Sequence, residues 1–211
     1  GDTLIADYTG TSAQVRGAIN ATLSYTTSIT YACVKSVLGA EIPNNSGFFR
    51  PIEVIAPEGS FVNPRMPGPV AARGLSAMRI TETMFGAFAR MLPDRIFACG
   101  VGLDTGVTIA GYFPDRRPFL FLEFMYVSWG GGPDRDGMDG CSLPHSNYAN
   151  TPVEVIEAEQ PLIIDAYEFV TDHCGAGQYR GGLAIRRDFR LTADEGYLQL
   201  RSDRQRFLPY G

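Results

Sequence analysis

Val107-Thr-Ile-Ala-Gly-Tyr-Phe113 and Phe119-Leu-Phe-Leu-Glu-Phe-Met-Tyr-Val127, separated by Pro114-Asp-Arg-Arg-Pro118, decide how this chain is read. β-Branched and aromatic residues dominate both runs, and the segment between them has the chemistry of a turn. The simplest arrangement is a hairpin. In the second run Glu123 shares a period-two face with Phe119, Phe121 and Met125, so it is expected to be at least half buried. A carboxylate in that position is costly unless it is paired, protonated or facing a cavity. Three readings of Glu123 follow: a general acid/base or ligand, a carboxylate satisfied by a structural Arg or by backbone donors, or a residue on an exposed edge.

Outward from the hairpin, the preceding 76–92 segment reads as a helix with Ile80, Met84, Ala87, Phe88 and Met91 on one stripe and Pro93 as its stop. A second helix is expected over 24–38, where Tyr31, Val34, Val37 and Leu38 recur at three or four residues, Gly39 suits the C′ position and Pro43 forbids continuation. Short strands are expected at 4–8, 52–56 and 61–62. Beyond the hairpin, 152–156, 162–170, 183–191 and 197–201 also have strand character. Two helices among about nine strands imply an α+β domain with a large mixed or mainly antiparallel sheet, 1–211 forming a single domain.

The chain has 211 residues, 45% hydrophobic, and its net charge is −5. Apolar residues come in short blocks, none near the ~20 needed to span a bilayer. Of the 18 basic residues all but Lys35 are Arg, and they form no basic run, which speaks against nucleic acid. It also leaves almost no candidate for a lysine nucleophile. Arg recognises carboxylates and phosphates instead. Cys33, Cys99, Cys141 and Cys174 lack the dense spacing of a disulfide-stapled secreted domain, so reduced thiols in the cytoplasm are expected. A zinc site from Cys141, His145, His173 and Cys174 is disfavoured because His173 and Cys174 are adjacent. The chain starts Gly-Asp-Thr-Leu-Ile without Met and reads as cut from something longer.

Three polar segments stand out. The 130–140 stretch carries five glycines and three aspartates, a loop whose conformation side-chain packing cannot specify. Gly175-Ala-Gly-Gln-Tyr-Arg-Gly-Gly182 lacks the Gly-Lys-Ser/Thr of a phosphate loop and has Arg180 where a dinucleotide fingerprint needs Gly. It therefore binds neither ATP nor a nicotinamide cofactor in a familiar way. It reads as a tight turn whose glycines supply positive φ, or as an anion-binding turn supported by Arg180. Asp7-Tyr-Thr-Gly-Thr-Ser12 with Gln14, Arg16 and Asn20 follows a strand, a place where ligands often sit, and reads equally as a well-satisfied turn. His145 lies in a run rich in hydrogen-bonding side chains that ends with Asn147, Asn150 and Thr151. It reads as a proton shuttle or ligand, or as part of a self-satisfied turn. The 134–150 stretch is expected to approach 9–20 or 175–182 in one polar cleft.

The segments 7–20, 49–60, 150–157 and 175–183, with Arg-Ser-Asp-Arg at 201–204, resemble the hydantoinase B/oxoprolinase family in order along essentially the whole chain. Ala72-Arg73-Gly74 and the 130–137 loop look more like hydantoinase-type than carboxylase-type members. The resemblance covers the central to C-terminal portion of a B subunit. It implies ATP-dependent opening of a hydantoin-like or 5-oxoproline-like cyclic amide by paired A and B subunits. On that reading ATP and Mg belong to the A-type partner, a divalent metal belongs to the upstream part, and neither is held within this chain. His145 and Glu123 are the expected catalytic residues; Arg16, Asn20, Asn150 and Arg180 are the expected substrate contacts. A subunit of an acetone- or acetophenone-type carboxylase is the alternative in the family, and a non-catalytic scaffold segment the alternative outside it.

Overall fold

The computed structural model describes residues 2–100, 105–143, 146–204 and 206–211, and the chain divides into two compact units, 1–96 and 97–211. The class is α+β. Strands are distributed over three small sheets rather than gathered into one large sheet.

In the first unit, β1 (Leu4–Asp7) pairs in parallel with β2 (Ile52–Ile55), Leu4 opposite Ile52 and Asp7 opposite Ile55. Between them run α1 (Leu23–Leu38) and the short α2 (Ser46–Phe49). Thr22 caps α1 by accepting from Tyr25 N at 3.4 Å, and Gly39 ends it at φ 129°, a conformation that favours glycine. The helix lies where its pattern predicts, but its buried face is different. Thr26, Thr30, Cys33 and Val34 turn inward, while Leu38 is exposed. Threonine can serve there because each hydroxyl finds a carbonyl: Thr26 Oγ1 donates to Val62 O and Thr30 Oγ1 to Thr26 O, both at 2.8 Å.

The long helix α3 (Gly74–Met91) completes this unit. Ala77, Ile80, Thr81, Phe85 and Phe88 are buried, whereas Ala87 and Met91 of the expected stripe face solvent. Ile80 joins Ala21 and Val62 in a core cluster bordered by Tyr8, Tyr25, Ile29 and Met84. Phe61 and Val62, expected as a strand, lie in turns around Ser60, whose bridges to Ala13 and Asn63 are isolated. Pro57-Glu-Gly59 turns the chain too tightly for a ladder to propagate.

In the second unit β3 (Gly106–Tyr112) and β4 (Pro118–Phe124) form the expected hairpin, Gly106 opposite Phe124 and Tyr112 opposite Pro118. β7 (Gly196–Arg201) pairs antiparallel with the other edge of β3, giving the order β4-β3-β7. β5 (Leu162–Phe169) and β6 (Ile185–Leu191) form a separate antiparallel pair with an irregularity between Ile164 and Ala166. The 152–156 segment is a helix, α4 (Val153–Glu159), where the sequence pattern predicts a strand. Pro152 sets the chain for a helical start, its carbonyl accepts from Val155 N and Ile156 N, and Glu154 sits in the first turn. These local terms outweigh the β-propensity of two valines.

Val107, Ile109, Phe119 and Phe121 from one sheet meet Ile156 of α4 and Leu162 of β5 in one core, with Ile164, Phe189 and Leu191 packed beside them. Each sheet thus gives one face to a shared core, and that is why the strands do not join edge to edge. Leu162 is fully buried at the centre. Leu162→Ala is expected to destabilise the protein by about 2–5 kcal/mol, since the cavity adds to the lost transfer energy. Urea unfolding of the two forms measures it; a loss below ~1 kcal/mol would mean the core can collapse around the deletion.

Candidate functional site

Glu123 is 7% exposed, as its position among aromatic residues requires. Its Oε2 receives Arg187 Nη1 from β6, and its Oε1 accepts from Thr151 N at 2.6 Å. The Arg187 guanidinium is sealed from solvent and lies 4.6 Å from the Tyr167 ring and 5.0 Å from the Phe189 ring. Next to Thr151, Asn150 Nδ2 donates to Phe124 O at 2.7 Å and its Oδ1 accepts from Tyr167 Oη at 2.6 Å. Glu123 and Asn150 therefore tie 149–152 to β4, β5 and β6. Of the three readings of Glu123, the geometry matches the carboxylate satisfied by a structural Arg and a backbone donor. Burial holds the Tyr167 hydroxyl above its usual pKa, keeping it a donor to Asn150.

The two glycine-rich segments of this unit meet. Arg180 grips Asp139 with two bonds, Nη1 to Oδ1 at 3.0 Å and Nη2 to Oδ2 at 3.2 Å, and its backbone N donates to Asp136 Oδ1 at 3.0 Å. Leu183 N donates to Asp139 Oδ1 at 2.7 Å, Gly137 N to Arg180 O at 2.7 Å and Gly182 N to Trp129 O at 2.9 Å. None of Gly175, Gly177, Gly181 and Gly182 takes a positive φ. Close approach is the requirement instead, at Gly182 and at Gly131 and Gly137 of the facing loop. A Cβ at Gly131 would stand 2.4 Å from Tyr179 O, at Gly137 2.2 Å from Trp129 O, and at Gly182 2.4 Å from Met138 O. The 175–182 segment is thus neither a positive-φ turn nor a free anion nest, because Arg180 is compensated by two carboxylates.

Beside this junction is a cleft of about 540 Å³. Gly130 to Pro133 and Gly175 to Tyr179 form its sides, with Trp129, Tyr179 and Tyr210 as the large side chains, and no charged side chain is among its described lining. The Trp129 ring is stacked on Phe97 at 5.1 Å and its Nε1 donates to Ser142 O at 2.8 Å, so it is a fixed wall. A neighbouring cleft of about 600 Å³ shares Ser128, Gly175 and Gly182 and adds Tyr126, His173 and Cys174.

Arg180 and the 130–140 loop are therefore brought together, and Asn150 braces the same unit through Phe124 O and Tyr167 Oη. His145 lies outside the described residues. Asn20, in the first unit, is fully buried: its Oδ1 accepts from Val15 N, and its Nδ2 donates to Val15 O, Gly17 O and Pro69 O. The amide is thereby taken up by its own loop. Arg16 is exposed and lines a separate cleft of the first unit. Asp136, Asp139 and Trp129 are the residues that sequence reasoning missed. The pairing of Asp139 with Arg180 spans 41 positions, and only the density of aspartates in a glycine loop hinted at it. Among the described residues no group of three or more His, Cys, Asp or Glu is arranged to hold a metal ion, and none of Cys33, Cys99, Cys141 and Cys174 is in a disulfide. Burial pushes the Cys33 thiol up to about 11. Among the described residues, Asp136 and Asp139 of the loop face Arg180 rather than an open position for a divalent metal or a nucleotide phosphate.

The sequence model of the Hydantoinase B/oxoprolinase family matches residues 1–211. An uncharacterised protein of Methanocaldococcus jannaschii is 37% identical over 206 residues, covering 97% of this chain and 36% of its own length. A Pseudomonas sp. protein provisionally named as the B subunit of a D-/L-hydantoinase is 34% identical, covering 100% of this chain and 36% of its own. The chain thus spans about a third of the length of these relatives. Among solved structures, ATP-dependent caprolactamase from Pseudomonas jessenii has a TM-score of 0.66 at 24% identity, covering 85% of this chain and 32% of its own. Nucleotide-free acetone carboxylase has a TM-score of 0.74 at 18% identity, covering 95% and 28%. Both likenesses speak for the fold.

The Arg180 clamp has a defined pH dependence. Arg180 first, then Leu183 N–H, holds the Asp139 carboxyl below its ordinary value of 3.8. A folded-state pKa below the unfolded one contributes stability that is present above the unfolded value and lost as the pH falls through the folded one. Carbon-13 NMR titration should place the Asp139 midpoint below 3.8, with hydrogen-exchange protection of Leu183 N–H lost only there. In Arg180→Ala that midpoint should move up toward 3.8; an unmoved midpoint would contradict the clamp.

Proposed function

This chain belongs to the hydantoinase B/oxoprolinase family, and from that premise we propose that it is part of the B subunit of an ATP-dependent hydrolase that opens cyclic amides of the hydantoin or 5-oxoproline type. The observation supporting this reading is the chemistry of the cleft between the 130–133 and 175–179 segments. Its described lining is backbone and neutral side chains, and the neighbouring Arg180 is already paired. Such a wall suits a small, neutral, polar ring whose carbonyls and ring N–H exchange hydrogen bonds with backbone. Among its described lining it offers a triphosphate no unpaired cation, since the neighbouring Arg180 is taken up by Asp136 and Asp139.

The residues divide the work. The glycine segments position the ring, Trp129 supplies a rigid flank, and the Glu123–Arg187 and Asn150 contacts keep the surrounding sheets fixed. His145 is the proposed proton carrier for the leaving ring nitrogen. Water adds across the amide C–N bond, giving a carboxylate and the freed ring nitrogen, which ends in a carbamoyl group for a hydantoin and in an amine for 5-oxoproline. ATP and Mg act on an A-type partner subunit, so the working enzyme is a hetero-oligomer, and we place it in the cytoplasm. A divalent metal of the B subunit would be held by residues other than those described here.

Turnover by the assembled enzyme is the test. Hydantoin or 5-oxoproline should stimulate ATP hydrolysis and appear as the ring-opened acid, whereas acetone or acetophenone with bicarbonate should not. The reverse result would make the protein a carboxylase subunit. His145→Ala should lower turnover by roughly tenfold or more while assembly survives, because positioned acid–base groups contribute about 10²–10⁴-fold. Normal turnover by that variant would remove His145 from the chemistry.

A further inference from the structure

The first unit carries a second cleft of about 540 Å³, built differently from the neutral one. It lies between the loops 14–16 and 66–69. Two side-chain amides rivet these loops together. Gln14 Oε1 accepts from Arg65 N at 2.7 Å while its Nε2 donates to Arg65 O at 3.3 Å. Asn20, fully buried, adds four more bonds, two of them to Val15 and one to Pro69 O at 2.9 Å. Loops fixed in this way lose little further freedom when a ligand arrives.

The lining of the cleft is apolar with one charge. Val15, Met66, Pro67 and Pro69 contribute carbon, Met66 being 90% exposed, and Arg16 contributes a guanidinium. Arg16 is exposed and has no ion pair or hydrogen bond among the described residues. The nearby Arg65 is balanced by Glu58 at 3.4 Å, so Arg16 is the uncompensated charge of the cleft. A guanidinium presents paired N–H donors in one plane, matching the two oxygens of a carboxylate. The lining holds no second cation of the kind that a phosphate dianion requires.

We propose that the Arg16 cleft is a binding site for small organic carboxylates with an apolar body, the anion on Arg16 and the body against Val15, Met66 and the prolines. Gln14 and Asn20 are positioning residues, which hold the two loops in register. The proposal does not rest on the ring-opening reading: a protein inactive on cyclic amides would still bind such an acid here.

Calorimetric titration of the protein with sodium hexanoate, sodium acetate and hexanamide tests it. Hexanoate should bind saturably, with acetate, which lacks the apolar body, and hexanamide, which lacks the charge, each roughly tenfold weaker or more. Arg16→Gln should weaken hexanoate by roughly tenfold or more, with Arg16→Lys between the two because it keeps charge but loses the fork. Because Arg16 is exposed and unpaired, circular dichroism and melting of both variants should match the parent. Gln14→Ala should weaken hexanoate while leaving the carboxylate-over-amide preference intact. Absence of saturable binding, equal binding of hexanoate and hexanamide, or undiminished binding by Arg16→Gln would each overturn the proposal.

Discussion

The second unit depends on backbone approaching backbone more closely than any side chain allows. Around Gly130, Gly131, Gly137 and Gly182, an added Cβ would come within 2.1–2.4 Å of a carbonyl oxygen of a neighbouring segment. Four stretches of chain, near 98, 129–132, 137–139 and 179–182, are thereby layered with little between them but hydrogen bonds. A layer of this kind leaves a cleft walled by peptide groups, and peptide groups recognise molecules that resemble them.

Charge is arranged around that layer so as to cancel. Arg187 is sealed against Glu123, and Arg180 is held by Asp139 and Asp136. The two pairs differ in consequence. The Arg187 pair is buried, so removing one partner would strand a charge and cost about 3–5 kcal/mol. The Arg180 pair is partly exposed, and its value lies in joining two glycine segments that side-chain packing cannot join. Both leave the cleft electrically quiet, in contrast to the first unit, where Arg16 remains uncompensated.

The sequence makes some of this legible and hides the rest for physical reasons. The hairpin is readable because its turn is bounded by prolines and its runs are long. Glu123 can be placed because strand period two is strict. Helix extents are readable from caps and Pro93, but the buried face of α1 is not: Thr26 and Thr30 look polar until their hydroxyls find carbonyls. Asn20 misleads in the opposite sense, since an amide that satisfies its own loop has the same sequence appearance as one waiting for a ligand. Gly182 looks like a turn-former, whereas the reason for it lies in distant segments of the chain, at Ser128 and Met138. The 152–156 segment resembles a strand because its valines alternate, while Pro152 and Glu154 favour a helical start.

The neutral, peptide-walled cleft is the centre of the account, and nitrogen-15 NMR of the protein with neutral glutarimide and with sodium glutarate tests it most directly. Glutarimide should shift the amides of Gly131, Gly177 and Tyr179 and the Trp129 indole N–H saturably, and glutarate should leave them in place. Shifts caused by glutarate alone, or by neither compound, would contradict the proposed role of this cleft in binding neutral cyclic amides.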